Sequence, residues 1–192
     1  MSEIPFRLQP GVLIGSYRLD MMLGEGGQSQ VWRAIDPSRA DDSSQGYVAI
    51  KVLPPEQKKS DRELNRVRET FRAAQALQHP NICPIYSLDS VPGFDLVLVM
   101  KYIDGGNLLD YRDRYVAEHG DFPLNEVVRI LNLVAKALDY AHSPQGVHQG
   151  LRSVVHRDVK PENILIGADG GEVQVVDYGL AAQVRMLSLI HI

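Results

Sequence analysis

Around Lys101–Gly106 the hydrophobic pattern of the chain changes period, and this change sets what the two halves can build. Upstream, "YRLDMMLGEGG", "QVWRAID" and "YVAIKVL" are β-rich runs separated by turn signals and by the polar insertion "PSRADDSSQG". That is the pattern of an antiparallel meander. A helical stretch follows, with Leu64, Val67, Phe71, Ala74 and Leu77 on one face, and it ends at "HPN", His79 to Asn81. Two more strand-like runs, "CPIYSLD" and "FDLVLVMKY", lead to Gly105 and Gly106, which break the chain. Downstream the pattern is helical. "NLLDYRDRYVAEHG" is a short amphipathic segment, and "LNEVVRILNLVAKALDYAHS" puts Val127, Ile130, Leu131, Val134, Leu138 and Ala141 on one stripe. The expectation is a small β-rich lobe hinged near Lys101–Gly106 to a mostly helical one.

With 44% hydrophobic and 23% charged residues, a chain of 192 residues can bury a core of its own. A net charge of −4 carries no nucleic-acid footprint. The single Cys83 excludes an internal disulfide and a cysteine-based zinc site, which fits a reducing compartment, and it reads as a buried core thiol. No basic start followed by an apolar run opens the chain, and no run is long enough to span a bilayer. These features predict a cytoplasmic protein.

Four short stretches carry groups that packing does not call for. In "LGEGGQSQVW", Gly24 and Gly26 lie between predicted strands, where backbone N–H groups without a Cβ can approach phosphate oxygens; a simple hairpin turn is the competing reading. "VAIK" ends in Lys51, on a strand, where it can pair with phosphate or can snorkel to the surface. In "HRDVKPEN", Asp158 can orient or deprotonate an attacking hydroxyl. Lys160 can neutralise charge on a transferring phosphoryl group, and Asn163 offers a carbonyl oxygen to a hard cation. Asp177 of "VVDYG" sits at a strand end two residues before Gly179, as a metal ligand or as an ordinary Asp-x-Gly turn.

Together and in this order, the Gly-rich loop, "VAIK", "HPN", "HRDVKPEN" and "DYG" resemble the catalytic domain of a protein kinase, of the serine/threonine type common in bacteria. The resemblance implies an α+β, two-lobed protein-kinase-like fold with a complete β-rich N-lobe and a helical C-lobe only partly present. Residues 1–16 would be a leader, 17–100 the N-lobe, and 101–185 the hinge and partial C-lobe. It further implies ATP and Mg²⁺ as cofactors and a protein Ser/Thr hydroxyl as acceptor. Gly24 and Gly26 would cover the phosphates and Lys51 would pair with them. Asp158 would be the base with Lys160 beside it, and Asn163 and Asp177 would hold Mg²⁺. Leu23, Val31, Ala49 and Leu165 would enclose adenine, with Met100 behind it and Lys101, Tyr102 and Ile103 as the hinge; a plain core role competes for the apolar members.

The sequence also departs from the family. Thr70 stands where the helix Glu that pairs with the strand Lys is expected, so the partner of Lys51 is Glu63, Glu69 or none. Ser29 replaces a loop Gly and Tyr178 replaces Phe, and "HSPQGVHQGLRS" is a longer connection than usual. The family continues past Gly179 with an activation segment and more helices, so the chain reads as a fragment of low activity, with 186–192 ("MLSLIHI") as a non-native tail and regulatory domains beyond it. An ATP-binding scaffold without activity and a small-molecule kinase of the same fold remain the alternatives.

Overall fold

A computed structural model describes residues 8–26, 29–39, 46–53, 61–92, 94–143 and 153–178. By their contacts they form two units, Met1–Ser60 with Ile85–Tyr102, and Asp61–Pro84 with Ile103–Ile192.

In the first unit the period-2 runs become six strands. These are β1 (Leu13–Ile14), β2 (Tyr17–Gly26), β3 (Ser29–Ile35), β4 (Tyr47–Leu53), β5 (Ile85–Val91) and β6 (Phe94–Lys101). They make one antiparallel sheet in the order β1-β2-β3-β4-β6-β5. The expected meander is therefore present, with one addition: β1 lies in the leader, where the sequence reading assigned no strand. Leu19 donates its N–H to Val12 and accepts from Gly11, and Leu8 and Ile14 enter the core. One face of the sheet carries that core, with Leu19, Trp32, Ala34, Val48, Ile50, Val52, Val97 and Val99. Burying each larger apolar side chain there contributes about 2 kcal/mol. Side chains of opposite parity, among them Val31, Arg33, Ala49, Lys51 and Met100, lie on the other face.

In the second unit, α1 (Asp61–Gln75) buries Phe71 and Ala74, and Leu77 is buried just beyond its end. The side chains of Leu64 and Val67 lie outside the described residues. A three-stranded sheet, β7-β8-β9, joins β7 (Gly105–Asn107), β8 (Ile164–Gly167) and β9 (Val173–Val175). "GADGG" is the expected hairpin turn, closed by Gly167 N–H donating to Glu172. The Gly pair does not simply break the chain: a Cβ at Gly105 would overlap the Ile166 carbonyl oxygen, so only glycine lets β7 pair there with β8.

Helix α2 (Leu108–His119) starts at a capping box in which Asn107 Oδ1 accepts from Leu109 and Asp110 and Asp110 returns the bond to Asn107 N–H. Helix α3 (Leu124–His142) buries Ile130, Val134, Ala137 and Ala141. Leu131, expected on that stripe, is 53% exposed. It shares a second stripe with exposed Leu124 and Val128, so α3 is apolar on two faces and only one of them is covered by described residues. No helix among the described residues is long and apolar enough to cross a membrane.

Candidate active site

The catalytic-loop candidates all lie in the second unit. Val154 N–H donates to the Ala141 carbonyl, which ties the start of the loop to the end of α3, and Pro161–Asn163 form a single tight helical turn leading into β8. Within this loop Lys160 Nζ is 3.0 Å from Asp158 Oδ2. Asn163 Nδ2 donates to the same Oδ2 at 3.1 Å and to the Asp158 carbonyl at 2.8 Å. The Asp158 carboxylate is thus oriented from two sides. With Nδ2 committed to Asp158, the oxygen Oδ1 is what the buried Asn163 can offer to a cation. The Asn163 carbonyl in turn accepts from Val176 N–H at 3.0 Å, which brings Asp177, the next residue, into the same assembly.

Two backbone positions are strained: Arg157 has φ 67° and Asp177 has φ 66°. Aspartate tolerates this left-handed region, whereas an arginine there costs about 1 kcal/mol or more. One buried side chain spans both places. His156 Nδ1 accepts from Asp158 N–H at 3.2 Å, so Nε2 carries the proton and donates to the Val176 carbonyl at 2.7 Å. Burial pushes the His156 pKa down, against its backbone hydrogen bond and the nearby carboxylates of Asp177 and Asp158, and so keeps the ring in this neutral form. Sequence reading passed over His156. Its place in "HRD" was visible, but the bridging needs the fold.

Asn81, the last residue of "HPN", is a second brace that sequence alone does not show. Its side chain donates to the Val173 carbonyl and its own carbonyl accepts from Val175 N–H, while Cys83 N–H donates to Val175. The segment before β5 therefore runs along β9 and holds the strand that delivers Asp177. Cys83 is buried, as expected. The Tyr178 ring packs edge-on against His156 at 4.7 Å, and its hydroxyl is buried with no partner among the described residues.

In the first unit, Lys51 lies opposite Val31 on β3 and Leu98 on β6, and is half-buried. On the same face, Ala49 stands opposite Met100 and both are buried. Leu23 is 41% exposed and is the extra residue of a β2 bulge between Met22 and Gly24. Gly24 opposes Val31 and Gly26 opposes Ser29. A Cβ on Gly24 would meet nothing within 4 Å, and its φ is not positive, so neither packing nor backbone conformation asks for glycine there. Tyr102 ends this unit. In the second unit Ile103 is buried and Leu165 is half-buried on β8. Of the candidate partners for Lys51, Glu69 is exposed on α1, and the side chain of Glu63 lies outside the described residues, as does Gly179.

No group of three or more His, Cys, Asp or Glu among the described residues assembles as a metal cage. Asn163 Oδ1 and the Asp177 carboxylate could offer one amide oxygen and one carboxylate, a pair whose chemistry would suit Mg²⁺ if phosphates supplied further oxygens.

The profile of the protein kinase domain family matches residues 17–189. The chain belongs to that family. As a protein kinase domain it is 30% identical, over 177 residues, to the serine/threonine-protein kinase PrkC of Bacillus subtilis, covering 92% of this chain and 24% of that protein. To the probable serine/threonine-protein kinase pknA2 of Bifidobacterium longum it is 36% identical over 185 residues, 94% of this chain and 22% of the relative. CBL-interacting protein kinase 33 of rice is 30% identical over 93% of this chain, which spans 36% of it. Among solved structures, the Mycobacterium tuberculosis PknI kinase domain superposes with a TM-score of 0.70 at 29% identity, over 92% of this chain and 63% of that one. The fold is therefore protein-kinase-like, and the chain spans little more than a third, or less, of these curated relatives.

Proposed function

We propose that this chain carries the nucleotide-binding and catalytic-loop parts of a serine/threonine protein kinase that transfers the ATP γ-phosphoryl group to protein hydroxyls. The observation that carries the reading is the joined assembly of Asp158, Lys160, Asn163 and Asp177, held by the Asn163 and His156 hydrogen bonds. Asp158 is the group to orient the acceptor hydroxyl and take its proton as the new P–O bond forms and ADP leaves. Lys160, close to the same carboxylate, would balance charge on the transferring group. Asn163 Oδ1 and the Asp177 carboxylate would hold Mg²⁺, which when bound neutralises phosphate charge. On the sheet face, Lys51 is the phosphate partner. The open space at Gly24 favours close approach of a phosphate over the hairpin-turn reading. Leu23, Val31, Ala49, Met100, Tyr102, Ile103 and Leu165 are the proposed adenine contacts, and the cytoplasm is the proposed location because the reaction draws on ATP.

The test is autophosphorylation with ATP and Mg²⁺, beside Asp158→Asn. The expected result is label on Ser or Thr that falls at least about 100-fold in the variant while ATP binding persists. ATP binding without any transfer in the wild type would favour the scaffold reading, to which Thr70 in place of a helix Glu gives its support. Label on small metabolites and none on peptides would favour a small-molecule kinase.

A further inference from the structure

Arg33 is a cation on the sheet face that carries Val31, Ala49 and Lys51, directly opposite Ala49 in the β3–β4 register. It is held from one side by Asp20, which accepts from Nε at 2.6 Å and from Nη2 at 2.5 Å. Asp20 is the extra residue of the other β2 bulge, between Leu19 and Met21. From its other side the guanidinium faces two aromatic rings, 4.5 Å from the centroid of Tyr47 and 5.7 Å from that of Tyr102. The two tyrosines meet edge-on at 6.0 Å. A planar cation fixed by a carboxylate has one orientation left, so it also fixes the rings it lies against.

We propose that Arg33 is a positioning residue for nucleotide binding: clamped by Asp20 and lying opposite Ala49, it holds the ring of Tyr102, two residues past Met100 in the chain, as an edge of the proposed adenine-binding face. The inference rests on the adenine reading given above and extends it to a residue that does not touch the phosphates. A Tyr102 ring that is ordered before the base arrives does not have to be ordered by it, and affinity rises accordingly.

The experiment measures Mg·ATP affinity and turnover at saturating ATP for the full chain, for Arg33→Leu, Arg33→Lys and Tyr102→Leu, and for the Arg33→Leu/Tyr102→Leu pair. Arg33→Leu is expected to weaken ATP binding about 3- to 10-fold with turnover at saturation unchanged. Arg33→Lys, which keeps a charge near the rings but not the planar fork that Asp20 grips, recovers only a minor part of the loss. In the Tyr102→Leu background, Arg33→Leu adds nothing. The single tryptophan, Trp32, is buried on the opposite face of β3, and its emission stays constant if the sheet is intact. Unchanged affinity in Arg33→Leu, an equal loss in both backgrounds, or a shift of Trp32 emission that tracks the loss overturns the proposal while ATP binding by the wild type stands. A wild type that binds no ATP overturns the proposal and the adenine reading together.

Discussion

At the scale of single residues, His156 shows how one buried ring can organise a site without touching a substrate. Its proton on Nε2 and lone pair on Nδ1 link the backbone on either side of two strained positions, and protonation would replace the acceptor at Nδ1 with a second donor. The pKa lies below the ordinary 6.5 because burial disfavours the charged ring. The unfolded chain therefore takes up the proton first as pH falls. The stability contribution is complete above about 6.5 and is lost as pH falls from there through the folded value. Urea unfolding between pH 8 and 5 is expected to show this loss, with a shallower slope for His156→Gln; the slope that persists is expected from His79, whose pKa is also lowered by burial and by Lys136. Tyr178 makes a converse case. Its hydroxyl is buried without a partner among the described residues, and burial alone pushes its pKa up. Tyr178→Phe removes an unsatisfied group and keeps the ring against His156, so a gain of about 1 kcal/mol is expected, read as a higher urea midpoint at constant m-value. The polar residues of this site were legible as a motif because phosphoryl transfer, the proposed reaction, would require a base and a cation ligand at close spacing. The strain at Arg157 and Asp177 was not, since neither residue type demands a positive φ.

At the scale of elements, period and punctuation carried most of the information. The strands β2 to β6 and the three helices fall where the alternation and the helical stripes put them. Strand β1 was missed because two paired residues leave too short a pattern, and β7 because a Gly pair reads as a break until its partner strand is known. On α3 the expected stripe was displaced. Helical geometry allows Ile130 or Leu131 to face the core, and the packing of Val134, Ala137 and Ala141 selects the first. The exposed stripe of Leu124, Val128 and Leu131 then leaves an apolar face in water at about 25 cal/mol per Å². Replacing Val128 and Leu131 by Gln is expected to reduce association of the 192-residue chain, measured by light scattering against concentration, with the helix content by circular dichroism unchanged. Association that is the same in this variant would show that the stripe does not drive it.

At the scale of the whole molecule, the family assignment and the site geometry make one thermodynamic prediction. A ligand that binds only the folded chain stabilises it by mass action, by about 2.7 kcal/mol at a hundred times its Kd. Mg·ATP is expected to raise the melting temperature of the wild type by several degrees, and Lys51→Ala to abolish the shift while barely changing the melting temperature without nucleotide. A shift that survives in Lys51→Ala would remove Lys51 from the phosphate site. The linear chain was sufficient for the class of fold and for the order of the motifs, and it named Asp158, Lys160, Asn163 and Asp177 as candidates. Those depend on residue type and spacing, which are local properties. The His156 bridge, the Asn81 brace along β9 and the Asp20–Arg33–Tyr47–Tyr102 cluster join residues separated by 13 to 94 positions, with Asp20 set by a strand bulge. Their existence follows from which elements come to lie side by side, and no local pattern encodes that.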